Sequence, residues 1–253
     1  MTQIIYGIHP VEEALKAFRP QIEKIFIGAE KPGPALQKIV ELAAQKRVAT
    51  IFTSGKHLEQ MAGGGVHQNV VAIVGEIPYA TIEEILSCWK EEGTKALFLI
   101  LDGIQDPQNL GAIIRTASAS GVNGIIIPKD RAVGITPAVV KASAGAAAII
   151  PVARVVNISN TVEILKKEGI WIYGAAGEAR DLIFRLDFDV DLAVVIGAEE
   201  KGIRPFVKRN CDRLFSIPMK GPVSSFNASV SGGMILYEVI RQRSLDMNLP
   251  SAH

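Results

Sequence analysis

Apolar residues along the chain fall into two kinds of pattern. Short unbroken runs of strand length recur: EKIFIG (23–28), VATIF (48–52), VVAIVG (70–75), ALFLIL (96–101) and LAVVIG (192–197). Between them, apolar positions return at helical spacing, as at 36, 39, 40, 42 and 43 within ALQKIVELAAQK (35–46). PVEEALKAF (10–18) predicts a helix with Pro10 in its first turn, where the missing N–H costs nothing. The run 96–101 has no polar position, the mark of a strand buried on both faces of a parallel sheet. Beyond it the pattern predicts a helix over 109–120, strands over 124–127 and 149–155, a helix over 160–168 and a strand over 170–174. A strand at 192–197, a helix near 205–211, a strand at 213–218 and a helix over 226–243 complete the series. The fold class is α/β with a parallel sheet.

One stretch breaks the alternation. EIPYATIEEILSCWKEEGTK (76–95) carries five Glu against two Lys, with a proline near its start. It reads as a linker holding one amphipathic helix (81–91), between a small α/β domain (1–75) and a larger one (96–253). The small domain has a Gly63-Gly64-Gly65 turn before its last strand and holds His9, His57 and His67. No internal repeat or low-complexity tract interrupts either part.

Composition narrows the function classes. With 48% hydrophobic and 21% charged residues, the chain buries enough apolar surface to exclude a disordered tail. The net charge of +1 means that affinity for nucleic acid must come from a local patch. Cys88 and Cys211 are far apart and lack ligand spacing, so neither a metal site nor a disulfide framework is expected, and the compartment is a reducing one. No apolar run approaches the roughly 18 residues of a spanning helix. The start, MTQIIYGIHPVEEALK, lacks the layout of a signal peptide. The expectation is a soluble, cytoplasmic enzyme without membrane or metal partners.

Three strand ends are rich in Gly, Pro and polar side chains, where ligands of parallel sheets bind. They are DGIQDPQNLGAIIRTASASG (102–121), VIGAEEKGIRP (195–205) and IPMKGPVSSFNASVSGG (217–233). Backbone groups freed by Gly197, Gly202 and Gly221, with Glu199, Ser224, Ser225 and Asn227, suit a nucleoside ligand. No GxxxxGK[ST] or GxGxxG occurs, and GAAGEA (174–179) is a partial echo of the latter, so triphosphate and dinucleotide readings fall away. Asp102 and Asp106 have the chemistry of magnesium ligands, although an Asp before Pro107 is more often a turn former.

These segments, in this order, resemble the three motifs of the SpoU branch of the SPOUT superfamily, the knotted RNA 2′-O-ribose methyltransferases. DPQNLGAIIRTA (106–117) is similar to the first motif and the other two loops to the second and third. YGIHPVEEAL (6–15) resembles the start of bacterial members that modify a guanosine in 23S rRNA. The resemblance implies a catalytic domain that binds S-adenosyl-L-methionine in a deep trefoil knot, where periodicity alone would return an unknotted sheet. It also implies an L30e-like N-terminal module that binds the RNA substrate, and a homodimer through the catalytic domains. Ribose methylation of tRNA and ribosome-directed antibiotic resistance belong to the same family. A non-catalytic RNA-binding or assembly factor on this fold is the rival of a different class.

The resemblance assigns Arg115 as the catalytic arginine, with Asn109, Glu199, Ser225 and Asn227 beside it, and Gly174, Gly197, Ile217 and Phe226 as cofactor-binding positions. Phe226 departs from a Leu common in relatives. Each has a plainer reading: Arg115 on a solvated helix face, Asn109, Ser225 and Asn227 as helix caps. Glu200 is expected to face solvent. A guanidinium is hard to deprotonate, so Arg115 suits stabilisation of a developing alkoxide. Residues 201–213 carry Lys201, Arg204, Lys208, Arg209 and Arg213 against Asp212, a run that suits RNA phosphates or merely a solvated helix. His9, Lys56 and His67 are candidate RNA contacts in the first domain.

Overall fold

A computed structural model describes residues 3–16, 22–28, 32–75, 77–199, 201–223 and 225–244. The chain forms two units, Met1–Pro78 with Ile135–Ile149, and Tyr79–Gly134 with Ile150–His253. The first contains β1 (Gln3–Tyr6), α1 (Ile8–Lys16), β2 (Ile22–Ile27), α2 (Pro34–Gln45), β3 (Ala49–Phe52), α3 (Gly55–Ala62) and β4 (Val70–Val74). Residues 17 and 18 of the expected first helix lie outside the described residues. The sheet order is β1-β4-β2-β3, with β4 antiparallel to both neighbours and β3 parallel to β2. Ser54 caps α3 by accepting the His57 N–H (3.3 Å), and Gly63 ends it in the left-handed region (φ +58°). Leu58, Ala62 and Val71 are buried there against Ile4, Tyr6, Phe26 and Met61.

The second unit begins with α4 (Ile82–Glu92), β5 (Leu97–Asp102), α5 (Pro107–Ala119) and β6 (Gly124–Pro128). Thr81 and Glu84 form a reciprocal capping box at the start of α4 (2.8 and 3.2 Å), and Gly93 terminates it (φ +65°). Ile82, Ile85 and Leu86 join Phe98, Ile100 and Ile126 in one core, and the Ala80 N–H bonds the Val152 carbonyl (2.8 Å). The stretch expected to be a linker is therefore built into this unit from Tyr79 onward. Glu83, Glu84, Glu91 and Glu92 lie on a helix whose inner face, Ile82, Ile85 and Leu86, is apolar.

Helix α6 (Pro137–Ala142) and a 3₁₀ turn (Ala146–Ala148) belong to the first unit, although the sequence places them in the second domain. Val139 and Val140 are buried, and the bare Cα of Gly145 (φ +87°) lies against Pro10 and Ile5. The chain then returns to the second unit with β7 (Val152–Val155), α7 (Ile158–Lys167), β8 (Trp171–Ala175), β9 (Asp181–Leu182), β10 (Leu192–Gly197), α8 (Pro205–Arg209), β11 (Arg213–Ser216) and α9 (Ala228–Ser244).

The seven strands run β7-β6-β5-β10-β8-β11-β9, and every pairing is parallel. All residues of β5 and β6 are buried, as the apolar runs require. α9 buries Ile235, Leu236 and Val239, and its last turn is tied down by Arg243. That guanidinium donates to the carbonyls of Phe188, Lys95, Ala96 and Val190 at 2.7–3.2 Å, and its burial lowers its pKa. Among the described residues no helix is long and apolar enough to cross a membrane.

Candidate active site

The parallel sheet sends β5, β8, β10 and β11 toward one edge, and the site is assembled at their carboxyl ends. Asp106 caps α5, accepting the Gln108 N–H (3.1 Å) with Pro107 at the first helical position. The cap expected at Asn109 is thus three residues earlier, and Asn109 sits inside the first turn, buried. Its Nδ2 donates to Glu199 Oε1 (2.6 Å), and Asn227 Nδ2 donates to both Asn109 Oδ1 (3.0 Å) and Glu199 Oε1 (2.7 Å). The Ala228 N–H adds a fourth bond to the group, again to Glu199 Oε1 (3.3 Å).

Chemistry fixes the amide orientations in this cluster. Asn227 Oδ1 caps α9 by accepting the N–H groups of Ser229 (2.9 Å) and Val230 (3.4 Å) and the Ser229 hydroxyl (2.6 Å). Its NH₂ must then face Glu199, an acceptor, and Asn109 Oδ1. Asn227 is both a cap and a member of the cluster, so its two readings are compatible. Glu199 stands against the N-terminal end of α9 with Oε1 occupied, and no hydrogen bond to Oε2 is formed among the described residues.

A pocket opens beside this cluster. Its walls are Ala175, Ala176 and Gly177 after β8, Ile196 to Glu199 and Gly202 after β10, and Phe215 to Ile217 with Met219 after β11. Ser225, Phe226, Ala228 and Ser231 complete it from the third loop and α9. Gly197 is there because backbone passes over it: a Cβ would lie 2.0 Å from the Gly202 carbonyl carbon and 2.2 Å from the Ile203 nitrogen. A second, more polar cleft lies on the other side of the same loop, lined by Gly103 to Asp106, Ala198, Glu199 and Lys201. Glu199 borders both.

The structure brings together Asn109, Glu199 and Asn227, and places Gly197, Ile217, Phe226 and Ser225 in the pocket wall. It does not bring Gly174 or Arg115 to them. Gly174 lies mid-strand in β8, where a Cβ would meet Leu214 (2.8 Å) and Cys211 (2.9 Å), so packing explains the glycine. Arg115 is on an exposed face of α5, nearly two turns beyond Asn109, without an ion pair or side-chain hydrogen bond among the described residues. Glu200 and Ser224 lie outside those residues.

The basic run is thinner than its sequence. Arg204 is paired with Asp102, Lys208 with Glu178, and the Arg209 guanidinium lies over the Phe206 ring (5.6 Å). Lys201 and Arg213 stay exposed. Asp102 is a buried partner of Arg204, so neither it nor the cap Asp106 needs a metal. Among the described residues no group of three or more His, Cys, Asp or Glu is arranged to hold an ion. In the first unit, His9 and Lys56 are exposed, while His67 Nδ1 accepts the Asn69 N–H (3.2 Å). Sequence reasoning missed Ala176, Met219 and Ser231 in the wall. Ala176 lies in GAAGEA, and Met219 and Ser231 in IPMKGPVSSFNASVSGG, so the segments were marked although these residues were not.

Comparison with known proteins adds the following. Residues 96–237 match the SpoU rRNA Methylase family, and residues 4–80 match the family described as RNA 2′-O ribose methyltransferase substrate binding. The chain is 45% identical over 239 residues to the 23S rRNA (guanosine-2′-O-)-methyltransferase RlmB of Coxiella burnetii, covering 94% of this chain and 95% of that protein. To the protein of the same description from Escherichia coli it is 36% identical over 247 residues, 96% of this chain and all of that one. The crystal structure of the SpoU methyltransferase AviRb from Streptomyces viridochromogenes, in complex with the cofactor AdoMet, is similar with a TM-score of 0.74. That likeness is at 27% identity and covers 96% of this chain and 90% of the other.

Proposed function

The chain belongs to the SpoU rRNA methylase family, and from that membership we propose that it methylates the ribose 2′-hydroxyl of a guanosine in 23S rRNA. The observation that carries the reading is the Asn109–Glu199–Asn227 cluster set between an apolar pocket and a polar cleft. The pocket suits S-adenosylmethionine: apolar walls from Ala175, Ile196, Ile217, Met219 and Phe226 for a nucleoside, with backbone groups of three strand ends to read it. Bound there, that cofactor supplies an electrophilic sulfonium methyl group.

The residues of the chain do the rest. Asn109 and Asn227 hold Glu199 in one rotamer, and the α9 N-terminus favours its negative charge there. Glu199 Oε2 is left to accept a hydrogen bond at the boundary between pocket and cleft. The cleft, with Gln105 and Lys201 at its rim, admits the nucleotide, so that its hydroxyl meets the pocket beside Glu199. The hydroxyl proton passes to water as the oxygen takes the methyl group, and Arg115 stabilises the alkoxide that develops. The first unit captures the rRNA, and the chain after β8 threads as a trefoil knot, in keeping with β10 lying between β5 and β8.

The working form is a homodimer in which Arg115 serves the partner's site. Supporting this, Arg115 stands apart from its own cluster, and α9 exposes Val230 (46%), Met234 (39%) and Tyr237 (70%) on one stripe. Light scattering should give twice the chain mass, and Tyr237→Glu should lower it. Mixing Arg115→Ala with Glu199→Gln chains should give activity above either variant alone and below the unsubstituted protein, since mixed dimers hold one intact site. For the reaction itself, 2′-O-methyl groups in 23S rRNA are mapped in cells with and without the gene. One guanosine should lose its methyl group, and an unchanged map would refute the assignment.

A further inference from the structure

Asp102 ends β5 with its side chain wholly buried (0% exposed), and it faces Arg204, whose side chain is 43% exposed. The carboxylate holds that residue three ways. Oδ2 accepts the Arg204 backbone N–H (2.8 Å), while Oδ1 accepts Nε (2.6 Å) and lies 2.6 Å from Nη2. A buried carboxylate persists only when paired and hydrogen-bonded, and this one spends its acceptors on a single residue of the second loop. Asp102 is also the strand-register partner of Gly197, the last residue of β10. The chain leaves the sheet at Gly197 and turns back where the Gly202 N–H (φ +61°) bonds the Ala198 carbonyl (2.8 Å). It is caught again at Arg204, against the strand it left beside. Inside that closed loop are Ala198, Glu199 and Gly202 of the pocket wall, whereas neither Asp102 nor Arg204 lines the pocket or the cleft.

We propose that the Asp102–Arg204 pair is a positioning latch that holds Ala198, Glu199 and Gly202 in their cofactor-ready arrangement before the cofactor arrives. The inference rests on the reading of the pocket as the S-adenosylmethionine site. A loop ordered in advance costs nothing to order on binding, so the latch acts on cofactor affinity. Saturating cofactor re-forms the loop without it, so turnover recovers.

Calorimetric titration of the full chain with S-adenosylmethionine, well below the melting temperature, tests this. Asp102→Ala, which removes all three contacts, should weaken binding about tenfold; Arg204→Ala, which keeps the backbone N–H on Asp102, should weaken it less, and the double variant no more than Asp102→Ala. Asp102→Asn, which keeps an acceptor for the Arg204 N–H, should fall between. In methyl-transfer assays KM for the cofactor should rise with kcat within about threefold of the parent. A pair with a merely structural role would lower the melting temperature and leave Kd unchanged. If Asp102→Ala does not fold, Arg204→Ala, which truncates a half-exposed side chain, decides the question. Parental affinity in folded variants overturns the latch alone. No cofactor binding by the parent overturns the reading of the pocket, and the latch with it.

Discussion

The two sheets of this chain solve different problems. In the first unit the pairing is mixed and the edge strand β3 stays open, with Ile51 38% and Phe52 51% exposed. In the second, all pairings are parallel and β5 and β6 show nothing to solvent. A parallel sheet covered on both faces has its stability in the strand bodies and its freedom at the strand ends. The pocket, the cleft and the Glu199 cluster all lie at those ends. The first unit keeps a partly exposed edge strand, and its hollow, lined by Glu59 and residues 64–69, lies in the connection between α3 and β4 rather than at strand ends.

The sharpest way to break that contrast is to cut equal volumes from both sheets. Phe98→Ala, in the core under α4, should cost about 3–5 kcal/mol in denaturant unfolding. Phe52→Ala, on β3, should cost no more than ~1 kcal/mol. Similar losses would mean that the first sheet is no less dependent on packing. On α5, Arg115→Ala should slow methyl transfer on the order of 10²–10³-fold while calorimetry finds cofactor affinity unchanged. Arg115→Lys should fail as well, since a point charge does not reproduce the planar fork. Gly197→Ala drives a Cβ into the Gly202–Ile203 backbone and should weaken cofactor binding ~100-fold, with a smaller loss of melting temperature.

The smallest effect concerns the connection between α8 and β11, where Cys211 packs against the core. Burial pushes the Cys211 thiol up to about 11 from an ordinary value of 9.0. The folded state therefore keeps the proton, and this contribution to stability is full below the unfolded pKa and lost as pH rises toward 11. Alkylation of Cys211 at pH 8 should be on the order of tenfold or more slower in folded than in unfolded protein. Equal rates would show that the connection between α8 and β11 leaves the core readily.

The same contrast governs how much was legible in the sequence. The parallel strands were readable because burial on both faces writes continuous apolar runs such as ALFLIL and LAVVIG. The loops at their ends stood out by Gly, Pro and polar content. Short or half-exposed elements left little trace: β1 has four residues, α3 has few apolar positions, and α6 (PAVVKA) has the β-branched look of a strand. The amphipathic helix at 81–91 was visible, but not that its apolar face packs into the core of the second unit. A helix started at residue 109 makes Asn109 its cap, whereas Pro107 at the first helical position selects Asp106. The pair Asp102–Arg204 joins residues 102 positions apart, which no local pattern encodes. Gly174 matched a motif neighbourhood, but a glycine serves packing as readily as binding.

The return of residues 135–149 to the first unit sets an order of events at the ribosome. The N-terminal 78 residues emerge first, yet the surface of β1 and α1 that α6 and Gly145 cover has no partner until about 70 residues more are made. At roughly 5–20 residues per second that interval is on the order of 4–14 s. During it, Ile5 and Pro10 stay bare while the first strands of the second sheet are already leaving the tunnel. The module assigned to rRNA capture is thus completed by a piece of chain made after the enzyme's first catalytic motif, so a nascent chain cut short before residue 135 carries that motif without a finished hand to bring it substrate.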